Sequence, residues 1–213
     1  MSMIGTTGLV LIPTANIISD GKLALGAAAY TDTKYGSYSP KYNRVFFATI
    51  GYLPFLEVSL RATKFPGLEW SKTYSSATER MASVKLQVIK ENGYFPSIVI
   101  GIHDLYGKSI HFNAQYVVVS KSIHLPLIGS FGIHIGDALN PIKSKKIYNY
   151  SMKGMFTGIE KDLCKYLTAM LEYDTYKYNA GLRINPFGDR IYIDVDLLGM
   201  NRISGAMNIS IDL

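Results

Sequence analysis

In the closing stretch "RISGAMNISIDL", Ile203, Gly205, Met207, Ile209, Ile211 and Leu213 fall on every second position. Arg202, Ser204, Ala206, Asn208, Ser210 and Asp212 fall between them. A period of two puts the first set on one face of a β-strand and the second on the other. The same pattern recurs upstream. In "FLEVSLRAT", Leu56, Val58, Leu60 and Ala62 oppose Glu57, Ser59 and Arg61. In "TYKYNAGLRIN", Tyr176, Tyr178, Ala180, Leu182 and Ile184 oppose Lys177, Asn179, Gly181, Arg183 and Asn185. In "RIYIDVDL", Ile191, Ile193, Val195 and Leu197 oppose Tyr192, Asp194 and Asp196.

Read this way, the chain divides into about twelve strand segments: 22–32, 42–52, 55–64, 78–90, 95–105, 109–121, 125–136, 152–162, 165–174, 176–186, 189–198 and 202–213. Soluble strands run to about five or six residues, and these are nearly twice that. About eleven residues rising ~3.3 Å each, tilted by about 40–45°, span roughly 25 Å, the height of the apolar band of an outer-membrane barrel. Short links near Leu53-Pro54, Glu91-Asn92-Gly93, Ser122-Ile123, Leu163-Cys164 and Pro186-Phe187-Gly188 alternate with more variable ones. The variable set comprises 33–41, 65–77, 137–151 and tighter links near Tyr106-Gly107 and Asp174-Thr175. Short turns on one rim and longer loops on the other are the arrangement of an up-and-down antiparallel transmembrane β-barrel. Tyr30, Tyr42, Tyr52, Tyr94, Tyr116, Tyr150, Tyr166 and Tyr173 near strand ends are expected to form interfacial girdles. A soluble β-sandwich or lipocalin-like barrel also alternates, with its polar face outward, and stays open on pattern alone.

Composition narrows the choice. The chain of 213 residues is 48% hydrophobic and 18% charged. No run approaches the ~18 apolar residues of a membrane helix, so any crossing is by strands. The net charge of +6 is scattered. Its densest run, Lys143, Lys145 and Lys146 in "IKSKK", reads as a solvated loop, and no nucleic-acid motif accompanies it. The single Cys164 precludes an internal disulfide. "MSMIGTTG" has no basic stretch followed by an apolar one, so it is not a signal peptide. A mature segment headed by an added Met and a cytoplasmic chain are the two alternatives. An outer-membrane location goes with the first.

Three blocks carry a family likeness: "GLVLIPTANIISDGKLALGAAAY", "FPSIVIGIHDLYG" followed by "AQYVVVSKSIHLPLIGSFGIHIGDAL", and "MFTGIEKDLCKYLTAMLEYDTYKYNAGLRINP". In this order they resemble the YjbH-like family of outer-membrane proteins. The resemblance implies an outer-membrane β-barrel with a role in capsule or exopolysaccharide export. The expected partners are outer-membrane lipid, exopolysaccharide and other export components, with no nucleic acid and no cofactor.

With apolar faces toward lipid, the lumen receives Glu57, Arg61, Lys85, His111, Gln115, His134, Glu160, Glu172, Lys177, Arg183, Asp194 and Asp196. Both signs are present, which suggests a filled, cross-paired interior more than a basic pore. Glu57, Arg61, Lys85, Glu160, Glu172, Arg183, Asp194 and Asp196 form the expected lumen network, with Glu160, Glu172 and Arg183 mutually engaged. One domain is expected over 1–213: a barrel from 22 and a non-barrel segment over 1–21 that folds into the periplasmic mouth and plugs it. Pro13 argues against a central strand there, and Asp20-Gly21 reads as the turn into the first strand. Four His carry no metal or catalytic spacing, although His111 with Ser109 and His134 with Ser130 are conceivable pairs. The expected role is therefore non-enzymatic, in exopolysaccharide secretion or envelope organisation, by binding, passage or assembly. The alternatives are a narrow general porin or structural barrel, and a soluble β-rich binding protein.

Overall fold

The computed structural model describes residues 1–31, 42–71, 74–105, 112–126, 129–139 and 152–213, with backbone alone over 66–71 and 74–77. Twelve strands follow one another: β1 Lys22–Tyr30, β2 Asn43–Leu53, β3 Leu56–Ser71, β4 Tyr74–Ile89, β5 Ser97–His103, β6 Ala114–Leu125, β7 Gly129–Leu139, β8 Gly154–Cys164, β9 Leu167–Tyr173, β10 Tyr178–Ile184, β11 Ile191–Leu198 and β12 Arg202–Asp212. Each pairs antiparallel with its neighbours in sequence, and β12 closes on β1. The seam runs from Lys22 opposite Asp212 to Ala29 opposite Gly205, so no strand edge is left open. The even strand count brings both ends of the barrel to the same rim as the short turns. Lys22 pins that rim through Asp189 in the β10–β11 turn and through Asp212. The Lys22 ammonium holds the Asp189 carboxyl below its ordinary range. Being exposed, this contact is open to screening by salt.

The faces follow the period-two alternation. Met207 is 50% exposed on the outer wall, while Asn208 is 1% exposed and points into the lumen. Ile203, Ile209 and Ile211 share the outer face, and Ser204, Ala206 and Asn208 the inner one. The exposed wall includes Leu25, Phe46, Leu60, Ile100, Ile135, Leu171, Leu182 and Val195.

Several boundaries differ from the sequence reading. The expected link 65–77 is largely strand, because β3 and β4 run to 16 residues each. Pro66, which has no N–H to give the ladder, stands opposite Ser76 at the last regular position before a register shift that ends at Ser71. The link expected at Ser122-Ile123 lies within β6, where Ser122, Ile123 and His124 pair with Gly132, Phe131 and Ser130. The chain leaves the ladder only at Pro126. β6 starts at Ala114 instead of 109, after Asn113 has bonded the His103 and Asp104 carbonyls. Gln115 faces outward, not into the lumen, and Tyr116 faces in, on the same side as Ala114 and Val118. Tyr30 and Tyr116 are buried inside and belong to no girdle. Tyr42, Tyr52, Tyr94 and Tyr166 are exposed, and Tyr173 packs on Tyr178. Lys177 sits in the β9–β10 turn, where its N–H bonds the Asp174 carboxylate, and not in the lumen. Tyr150, His111, Ser109 and the "IKSKK" lysines lie outside the described residues.

Candidate functional site

The lumen is occupied by the chain's own first residues. Residues 2–14 double back on themselves: the Met3 N–H bonds the Val10 carbonyl, Leu9 bonds Ile12, and Thr14 bonds Thr7. Gly8 and Pro13 form the one isolated bridge among the described residues. No side chain fits at Gly8, because a Cβ there would lie 2.2 Å from the Ile12 carbonyl oxygen. The apolar tip, Leu9 to Ile12, is buried with Phe47, Val99, Phe156 and Met170 of the barrel wall in one cluster. The hydrophobic core of this protein is thus the lumen. Gly158 makes room for the tip, since a Cβ there would meet Leu9 Cδ1 at 2.4 Å and Ile12 Cδ1 at 2.9 Å.

A doubled-back segment inside a barrel has backbone groups with no sheet to join, and burial without partners would be costly. The inward polar side chains supply those partners. The Glu172 carboxylate on β9 accepts the N–H groups of Val10 at 3.0 Å, Leu11 at 2.9 Å and Ile12 at 3.3 Å. Asn179 of β10 donates to the same carboxylate at 2.9 Å. Glu57 on β3 accepts from the Thr7 N–H at 3.0 Å, the Thr7 hydroxyl at 2.7 Å and the Ile18 N–H at 3.0 Å. Lys85 on β4 donates to the Thr7 carbonyl at 2.9 Å and the Asn16 carbonyl at 2.6 Å, with Glu57 3.8 Å away.

Arg183 on β10 grips both Asp194 carboxylate oxygens, at 2.9 and 3.0 Å. Its remaining donors reach the carbonyls of Gly8 at 3.2 Å, Leu9 at 3.3 Å and Met1 at 2.9 Å. Anionic side chains thus take the segment's N–H groups and cationic ones its carbonyls. Charge-assisted hydrogen bonds of this kind are roughly twice as strong as neutral ones.

The eight network residues all lie on inward-facing positions, but they do not form one network. Glu160, Glu172 and Arg183 are not mutually engaged: Glu160 lies 3.4 Å from His134, Glu172 binds the segment tip, and Arg183 pairs with Asp194. Arg61 lies apart from these contacts, with its guanidinium over the Phe112 ring at 4.4 Å. Asp196 is buried two residues from Asp194 on the same face, and neither of its carboxylate oxygens has a hydrogen-bond partner. The pair His134 with Ser130 does not form. His134 bonds Ser120, and Ser130 bonds His124.

The charged residues also have small polar helpers that a search for charge overlooks. Ser120 Oγ accepts the Ala15 N–H at 2.8 Å, while Ser97 and Gln87 donate to the Ala15 carbonyl. Ser59 and Thr49 donate to the Gly5 carbonyl. The inward parity of Ser59, between Glu57 and Arg61, is readable from the alternation, while the contacts of this set with segment residues 44 to 105 positions away are not. At the short-turn mouth a polar cavity of about 270 Å³ remains between the segment and the wall, lined by Lys22, Glu160, Arg183, Tyr192 and Asn208. Among the described residues no group of three or more His, Cys, Asp or Glu is placed to hold a metal ion.

A family model described as "Exopolysaccharide biosynthesis protein YbjH" matches residues 1–187, which includes the internal segment and the first ten strands. No curated protein matches the sequence.

Proposed function

The chain belongs to the YjbH exopolysaccharide biosynthesis family, and from that premise we propose that it is an outer-membrane barrel serving exopolysaccharide secretion or envelope organisation, with its lumen closed by its own N-terminal segment. The observation that carries this reading is the outer wall. Strand after strand turns Leu, Ile, Val, Phe and Met outward, including Phe46, Leu60, Ile135, Leu182 and Met207, each between 44% and 60% exposed. That much contiguous apolar surface is unfavourable in water, and in a bilayer it is the favoured surface. A lumen packed with ordered chain favours binding or assembly with export partners over free diffusion through an open pore, and requires no reaction. A second reading, gated passage, draws on the polar cavity at the short-turn mouth. It requires the segment to leave the barrel.

The test is solubility and conductance together. The chain is expected to need detergent or lipid to stay monodisperse and to show no steady conductance in planar bilayers. A sharp monomer without detergent overturns the membrane reading. A steady open conductance overturns the closed-lumen reading. A register test accompanies it. Met207→Arg, at the middle of β12 and facing out, is expected to cost about 2–4 kcal/mol of folding stability in lipid vesicles. Asn208→Arg, beside the polar cavity, is expected to cost less. The reverse order would place the opposite face toward lipid.

A further inference from the structure

We propose that the outer wall of β2–β4, near the long-loop rim, binds the phosphate headgroup of a lipid through Arg44, Lys64 and Arg80. The proposal rests on the membrane reading above and adds a ligand to it. On these strands the outward positions are Arg44, Phe46 and Ala48; Lys64, Ala62 and Leu60; and Arg80 and Ala82. Arg44 stands directly opposite Lys64, and Arg80 opposite Ala62, one diagonal step from Lys64. Three cations therefore share a patch about 10 Å across, two strand spacings. All three are exposed.

Like charges directly opposite on a sheet destabilise it. No described carboxylate forms an ion pair with Arg44, Lys64 or Arg80. The other outward cations on the strands do have engagements. Lys121 donates to the Asn92 carbonyl and pairs with Glu91, and Lys161 lies over the Phe131 ring. Among the described residues the cluster is uncompensated, and an anion from outside the chain would complete it.

Its setting selects the anion. The cluster points sideways off the barrel wall, and directly below it on the same strands lie Phe46 and Leu60, 55% and 60% exposed. A ligand seated there presents negative oxygens at the rim and hydrocarbon beneath. Guanidinium forks match tetrahedral phosphate oxygens, and the lysine adds a point charge. Thr78, opposite Lys64 and exposed, offers a hydroxyl to the same headgroup. A phosphate carrying acyl chains meets all of these conditions at once. A free polyanion would leave the apolar platform unused.

The probe is dioleoylphosphatidic acid added to the protein in a nonionic detergent, with bound lipid counted by native mass spectrometry. Dioleoylglycerol and inorganic phosphate serve as the controls lacking the phosphate and the chains. Wild type is expected to retain phosphatidic acid about tenfold more strongly than R44Q/K64Q/R80Q, and neither control is expected to compete. K121Q/K161Q removes the same kind of charge elsewhere on the wall and should retain the lipid like wild type. Equal retention by wild type and the triple variant overturns the site. An equal loss in K121Q/K161Q reduces it to net charge and also overturns it. Competition by inorganic phosphate at equal concentration overturns the lipid as the occupant. The single variants R44Q, K64Q and R80Q, each expected to lose several-fold, decide the matter if the triple variant fails to fold. Insertion of wild type into phosphatidylcholine vesicles is scored separately, so failure of the membrane reading is distinguishable from failure of the patch.

Discussion

Arg183→Met is expected to lower the stability of the folded barrel by about 3–5 kcal/mol, the usual cost of removing one partner from a buried ion pair. The methionine fills most of the volume but supplies no donors. Asp194, 1% exposed in its side chain, would lose both of its guanidinium bonds. Asp196 stands on the same face, and neither of its carboxylate oxygens has a hydrogen-bond partner. The Gly8 and Leu9 carbonyls lose their donor in the same step. Urea unfolding in micelles, followed by tryptophan fluorescence, measures the change. Arg183→Lys should recover part of it, because an ammonium restores the charge without the fork. An unchanged unfolding midpoint in Arg183→Met would mean that water satisfies these groups. Replacing both partners, Arg183→Met with Asp194→Leu, should cost less than Arg183→Met alone, since no unpaired charge remains.

The second large effect is at Glu172. Its carboxylate accepts three consecutive backbone N–H groups from the segment tip, and Glu172→Ala leaves Val10, Leu11 and Ile12 without acceptors. A buried unsatisfied donor costs about 1–3 kcal/mol, so the loss is expected to reach at least about 3 kcal/mol. It should be felt first as release of the segment, not as loss of the barrel, because β9 keeps its ladders with β8 and β10. Amide hydrogen exchange separates the two. The Val10–Ile12 amides should exchange much faster in Glu172→Ala, while the strand amides stay protected. Glu172→Gln keeps one acceptor oxygen and should fall between. If exchange at 10–12 is unchanged in the Ala variant, the carboxylate does not hold the segment. If that variant instead conducts in planar bilayers, the segment is a removable gate, and gated passage becomes the better account of the function.

Much of the architecture is legible in the amino-acid sequence. A strand's side chains alternate strictly, so parity alone assigned Leu60 to the wall and Arg61 to the interior, and likewise Leu182 and Arg183. Strand number and the rim of short turns follow from segment lengths and turn residues, and closure of β12 on β1 follows from the rule that no strand edge stays open in hydrocarbon. Where local signals competed, boundaries slipped. Ser122 and Ile123 read as a turn yet keep pairing until Pro126, and at the other end β6 begins only at Ala114, with Gln115 outward and Tyr116 inward.

What parity could not supply is height along the barrel axis and the identity of what fills it. Glu160, Glu172 and Arg183 all point inward, yet strand tilt and stagger set them beside different partners: His134, the Val10–Ile12 backbone and Asp194. The bonds between Glu172 and the segment tip join residues about 160 positions apart. Their partners on the segment are peptide groups, which every residue carries and no side-chain pattern announces. Inward charge was therefore written in the sequence. That it holds the chain's own backbone was decided only when the closed barrel brought wall and segment together, where each buried N–H and C=O had to find a partner.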